Sequence, residues 1–226
     1  MILAVIIFAL ESFGNSQPLP LLRPATAGLG VTPNASILTS NNAIGSILFH
    51  REEEIRYSYG CIVWKIYKRA EIGLFTSTSR SPSNVILSTL GLSFKYKFRR
   101  KTAIGISLFG EDMRGIQGFI CEDVFLSPQW KVVFGLLFEK WESAMGRDKG
   151  FLPYCGLVGR VGNRYSLTLE WREQGRGAKT AYLISFSSQL SGSQISLGFG
   201  RIGLGKKPTP ILMLTVNGGD NLFAAW

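Results

Sequence analysis

Charged side chains stand on the polar faces of segments that otherwise alternate apolar and polar residues: Arg56, Glu71, Lys95, Lys97, Glu139, Arg160, Arg164, Glu170 and Arg172. They share those faces with Ser, Thr and Gly, so in strands they project together, away from the aromatic and aliphatic residues. If lipid covers the apolar faces, these nine line an interior, because Lys or Arg facing lipid at the midplane costs ~2–4 kcal/mol. Two chemistries stay open for such a wall. Cross-strand ion pairs fill a narrow barrel and make it a rigid anchor, or surplus basic groups line a small water path that favours anions. In the second case Lys95, Lys97, Arg164 and Arg172 are the anion-contacting set.

Other reactive side chains give no comparable pattern. The single histidine, His50, sits beside Arg51 and Glu52 and reads as a solvated histidine at a strand end. Glu52 to Glu54, Glu111-Asp112 and Glu122-Asp123 read as solvated charge runs in loops, and Ser185 to Ser188 as inward positions of a strand. Cys61, Cys121 and Cys155 show no Cys-x-x-Cys spacing and no neighbouring histidine, so neither zinc nor a disulfide framework follows. The glycines from Gly198 to Gly205 are not followed by a helix, which removes the phosphate-loop reading. The chain is read as a non-enzyme with no cofactor and no metal site.

Positioning falls to strands. Arg164 to Trp171 alternates without a break, with Tyr165, Leu167, Leu169 and Trp171 on one face and Ser166, Thr168 and Glu170 on the other. Similar segments recur at Ala43–His50, Glu54–Tyr67, Ala70–Ser79, Asn84–Phe98, Thr102–Phe109, Gly115–Leu126, Trp130–Trp141, Phe151–Val161, Arg164–Arg172, Lys179–Gln189, Gln194–Leu204 and Pro210–Val216. Connections are expected to alternate short and long. Lys68-Arg69, Arg99 to Lys101, Ser127 to Gln129, Gly162-Asn163 and Leu190 to Gly192 are short. Arg51–Glu53, Arg80–Ser83, Gly110–Arg114, Glu142–Gly150, Glu173–Ala178 and Gly205–Thr209 are longer.

That alternation belongs to a membrane barrel with short periplasmic turns and longer outside loops. Charged residues amount to 18%, below the roughly 25% of soluble domains, which suits a wall facing lipid. Closure removes sheet edges, and in hydrocarbon every unpaired backbone group costs several kcal/mol. The expected fold is all-β: one antiparallel up-and-down transmembrane β-barrel of about twelve strands over residues 43–226. Trp64, Trp130, Trp141, Trp171 and Trp226 are expected in interfacial girdles. If Ala43–His50 is a plug segment instead of a strand, Glu54–Tyr67 has to split near Gly60.

Before the barrel, residues 1–17 hold a short apolar run, Ile2 to Leu10, that matches a secretory h-region and is read as part of a signal peptide. Residues 18–42 are rich in Pro, Gly, Asn, Ser and Thr and form an extension or plug. The net charge of +10 is spread over turns and polar faces, with no basic helix, so nucleic acid is not the expected partner.

Ala25 to Gly30, Asn41 to Leu48 and the strand-like Glu54 to Tyr59 resemble the N-terminal region of the outer-membrane superfamily that includes FadL fatty-acid transporters and PorV-like proteins. The terminal Asn221 to Trp226 resembles the aromatic end that outer-membrane barrels present for assembly. These resemblances imply a bacterial outer-membrane location and a plug segment in or under the barrel. The expected function is passage or binding of a small or hydrophobic solute, with membrane lipid around the wall. The alternative is a structural barrel that anchors or assembles with a protein partner in the envelope.

Overall fold

A computed structural model of the protein describes residue 35 and residues 42–51, 55–80, 86–143, 146–162, 164–172, 181–190, 193–201 and 209–216. Twelve strands follow one another: β1 (Asn42–Arg51), β2 (Ile55–Tyr67), β3 (Ala70–Arg80), β4 (Ile86–Lys97), β5 (Thr102–Glu111) and β6 (Met113–Phe125), then β7 (Trp130–Ser143), β8 (Gly146–Val161), β9 (Tyr165–Arg172), β10 (Ala181–Leu190), β11 (Ser193–Arg201) and β12 (Thr209–Val216). Each pairs antiparallel with its sequence neighbours, and β1 pairs antiparallel with β12 from Ile44 opposite Val216 to Phe49 opposite Ile211. An even strand count makes that closure work, since the first and last strands then run in opposite directions. Ala43–His50 is therefore a wall strand, and Glu54–Tyr67 does not split.

Faces are set by the two-residue period. On β4, Leu90, Leu92, Phe94 and Tyr96 are exposed while Thr89, Gly91, Ser93 and Lys95 are buried. The same sorting holds on β10, with Tyr182, Ile184 and Phe186 outside and Leu183, Ser185 and Ser187 inside. Apolar residues thus cover the outer surface and polar ones fill much of the interior, the inverse of a water-soluble barrel. A register shift between Lys65 and Tyr67 breaks the period at the end of β2, leaving Ile66 and Tyr67 both exposed.

Two expectations are corrected. The long connections Gly110–Arg114 and Glu142–Gly150 are largely strand: only Asp112 separates β5 from β6, and only 144–145 separate β7 from β8. Backbone pairing carries on past the apolar pattern, as in Trp141 opposite Asp148 and Glu142 opposite Arg147. Nor do all aromatics face outward. Phe75, Phe109, Phe119, Tyr154 and Trp141 are buried inside, which takes Trp141 out of the interfacial girdle. Trp64 is exposed and Trp130 half-buried on the outer wall, and Trp171 is half-buried.

Glycines explain where most of those inward rings go. Gly91 on β4 lies under the Phe75 ring of β3, Gly105 on β5 under Phe119 of β6, and Gly135 on β7 under Tyr154 of β8. A Cβ at any of the three would run into the ring, so the missing side chain is what lets an aromatic lie flat on the inner wall. Residues 1–17, the extension apart from Ala35 and Asn42, and Asn221–Trp226 lie outside the described residues.

Candidate functional site in the barrel interior

Register brings opposite charges together inside. Glu71 on β3 and Lys95 on β4 are direct cross-strand partners, and their side chains meet at 2.8 Å. Asp123 on β6 and Lys131 on β7 flank the turn between those strands and pair at 2.7 Å. Arg172 on β9 reaches across β8 to Glu139 on β7, Nη2 to Oε2 3.4 Å, and Gln117 Nε2 donates to the same Glu139 oxygen at 3.5 Å. Glu170, also inward, is one inner-face position along β9 from Arg172. Lys131 has no exposed surface, and Lys95 keeps 1%. Charges this deeply placed persist because each meets an opposite charge.

Asp123 has a second role. Its Oδ2 takes the Lys131 ammonium, while Oδ1 accepts the backbone N–H of Ala35 at 2.9 Å. Ala35 is 1% exposed, so part of the extension lies against the inner wall. Nearby, the Lys101 and Lys131 ammonium groups stand 5.9 and 6.0 Å from the centre of the Phe125 ring. Cys61 and Cys121 are buried and Cys155 is exposed on the outer wall; all three are free thiols, with Cys121 Sγ 3.6 Å from the Ala103 carbonyl oxygen.

The nine residues read from the sequence divide. Glu71, Lys95, Glu139, Glu170 and Arg172 are buried on the inner face. Lys97 and Arg160 are half-buried at one mouth, where Arg160 Nε donates to the Gly162 carbonyl. Arg56 lies in β2, opposite His50 and Arg80. Arg164 is exposed in the β8–β9 connection, which corrects its inclusion in the wall: β9 begins one residue later. Of the residues read as anion-contacting, Lys95 and Arg172 pair with Glu71 and Glu139. Missing from the sequence reading were Asp123, Lys131 and Gln117. Asp123 looked like part of a loop run, yet its alternation with Cys121 and Phe119 places it on the inner face.

No protein-family model matches this chain, and no curated protein matches it. Among solved structures, the KdgM porin overlays with a TM-score of 0.58 at 12% identity, over 77% of this chain and 98% of the porin. The fold is that of an outer-membrane porin barrel. The KdgM porin in complex with disordered oligogalacturonate gives a TM-score of 0.59 at the same identity and coverage. The translocator domain of the autotransporter NalP from Neisseria meningitidis is similar at a TM-score of 0.43 and 11% identity, over 77% of this chain and 84% of that domain. The resemblance to FadL and PorV-like proteins gains no support from the KdgM structures.

Proposed function

We propose that this protein is a bacterial outer-membrane barrel that passes or binds a small solute in its interior. One observation carries the reading: an apolar outer wall encloses an inner wall bearing Glu71, Lys95, Asp123, Lys131, Glu139, Glu170 and Arg172. A barrel this polar inside and apolar outside suits lipid around it and water or solute within. Ser107 Oγ and Arg172 Nε are buried in that wall without a partner among the described residues, in keeping with a hydrated interior. The KdgM complex with oligogalacturonate supports solute binding on this fold. Because Lys95, Lys131 and Arg172 are each held by a carboxylate, small polar solutes suit this interior better than hydrophobic ones. Ala35, from the segment ahead of β1, docks on the inner wall at Asp123.

A second reading, a filled barrel that anchors a protein partner, is favoured by the bulk of the inward residues. Phe75, Met113, Lys95, Lys131 and Arg172 are the largest fully buried side chains among the described residues. Planar-bilayer recording separates the two, after faster gel migration of the unboiled protein has verified a closed barrel. Discrete conductance steps support passage. A compact barrel without steps supports the anchor, and a protein in the aqueous fraction with no gel shift sinks both.

A further inference from the structure

Apart from Lys101, whose ammonium also stands over the Phe125 ring, the short-turn rim carries charge that the interior contacts do not use. Lys68-Arg69 joins β2 to β3, and residues 98–101, with Arg99, Arg100 and Lys101, join β4 to β5. All five cations are exposed. Because β3 pairs with β4, the two turns are neighbours, and the Lys97 N–H donates to the Arg69 carbonyl at 2.8 Å across them. The Asp123 N–H ties the second turn to β6 by donating to the Lys101 carbonyl at 2.8 Å.

No exposed carboxylate faces these cations among the described residues at this rim. Glu71 and Asp123 turn inward and are spent on Lys95 and Lys131, and Glu122 is half-buried. The opposite rim is different: Arg114 is bonded to Glu142, and Glu111, Asp112, Lys140, Arg147 and Lys149 mix both signs. On the outer wall beside the basic turns stand exposed Trp64, Tyr67, Tyr96 and Phe98. The amphipathic rings of Trp and Tyr settle at headgroup depth.

We propose that the β2–β3 and β4–β5 turns form a binding patch for the phosphate headgroups of anionic phospholipid in the leaflet on the short-turn side. Aromatic rings fix the depth, and the arginine forks and lysine ammonium groups then meet phosphate at the level where the acyl chains end. A lipid is favoured over a soluble acidic partner because the cations are continuous with the apolar wall, so one molecule can satisfy both. The inference rests on the membrane reading above.

The test uses the full chain, folded in detergent and incubated with fluorescent phosphatidylglycerol or phosphatidylcholine, with retained lipid measured after gel filtration. Wild type should retain phosphatidylglycerol preferentially, by about tenfold, with the preference falling as salt rises. The variant K68Q/R69Q/R99Q/R100Q/K101Q should lose it, whereas K140Q/R147Q/K149Q on the opposite rim should keep it. Inorganic phosphate at equal concentration should not displace the lipid; full displacement would mean a site for free anions and would overturn the proposal. Equal retention of both lipids by wild type, or undiminished preference in the five-site variant, would overturn it too. A gel shift on heating verifies folding in every sample, so its absence from wild type counts against the membrane barrel itself, while a shift without lipid preference counts against the patch alone.

Discussion

Ala35 and Asp123 lie 88 positions apart in the chain and are joined by a 2.9 Å hydrogen bond inside the barrel, the backbone N–H donating to Oδ1. The other oxygen of the same carboxylate holds Lys131. One buried anion therefore serves both the wall and the extension. Ala35→Pro removes the donor and leaves the wall pair intact. The variant should keep its heat-modifiable mobility while the native thiols Cys61 and Cys121, both buried inside, react faster with a water-soluble thiol reagent. Unchanged labelling would show that the extension does not restrict access.

Glu71 and Lys95 form a buried pair between direct register partners. Removing one partner strands the other charge, so Lys95→Met alone should lower resistance to denaturant by about 3–5 kcal/mol, and Glu71→Gln combined with it should restore much of the loss. Urea unfolding of the two singles and the double, followed by tryptophan fluorescence, measures the coupling. Additive losses would show that the pair does not act as a unit.

Gly105 accommodates the Phe119 ring, whereas Gly118 on β6 meets only the Gly105 carbonyl oxygen at 3.6 Å from where a Cβ would stand. Gly105→Ala should cost about 1–3 kcal/mol through overpacking, and Gly118→Ala should be tolerated. Adding Phe119→Leu to Gly105→Ala should recover part of the loss. Equal tolerance of both glycine substitutions in the same unfolding assay would refute the close fit.

Asp112, the lone residue between β5 and β6, accepts the Ser88 N–H at 2.7 Å and the Ser88 hydroxyl at 3.0 Å. These two bonds, the backbone one foremost, hold its carboxyl below the ordinary value of 3.8. A depressed folded pKa means the stabilisation is fully present above the unfolded value and is lost as pH falls through the folded one. Ser88→Ala should raise the carboxyl pKa and Asp112→Asn should abolish this titration, both readable by NMR of the loop. Beside it, Glu111 has φ of 103°, a conformation that favours glycine. Glu111→Gly should stabilise the hairpin by about 1 kcal/mol, which thermal or urea unfolding would register.

Most of the strand plan was legible in local sequence. Period-two alternation in Leu92, Phe94 and Tyr96 against Ser93 and Lys95 reports the outer and inner faces directly, because lipid favours apolar side chains on outward positions. The turn at Lys68-Arg69 was readable for the same local reason. Strand ends were harder: β5, β6, β7 and β8 run past their apolar stretches, where backbone pairing alone sustains the sheet and side chains at the rim meet no demand from lipid.

By itself, then, the sequence determined an all-β chain of about twelve strands with one apolar face, since these follow from side-chain alternation and turn chemistry within a few residues, while the pairing of β1 with β12 decided that Ala43–His50 joins the wall. Only the tertiary structure decided which charges meet. Glu71 finds Lys95 through strand register, Arg172 reaches Glu139 across an intervening strand, and Ala35 meets Asp123 on the inner wall. It also decided that Phe75, Phe119 and Tyr154 turn inward, because the glycine that makes room for each ring sits on the neighbouring strand. Such contacts depend on distances between remote segments, and local alternation carries no record of them.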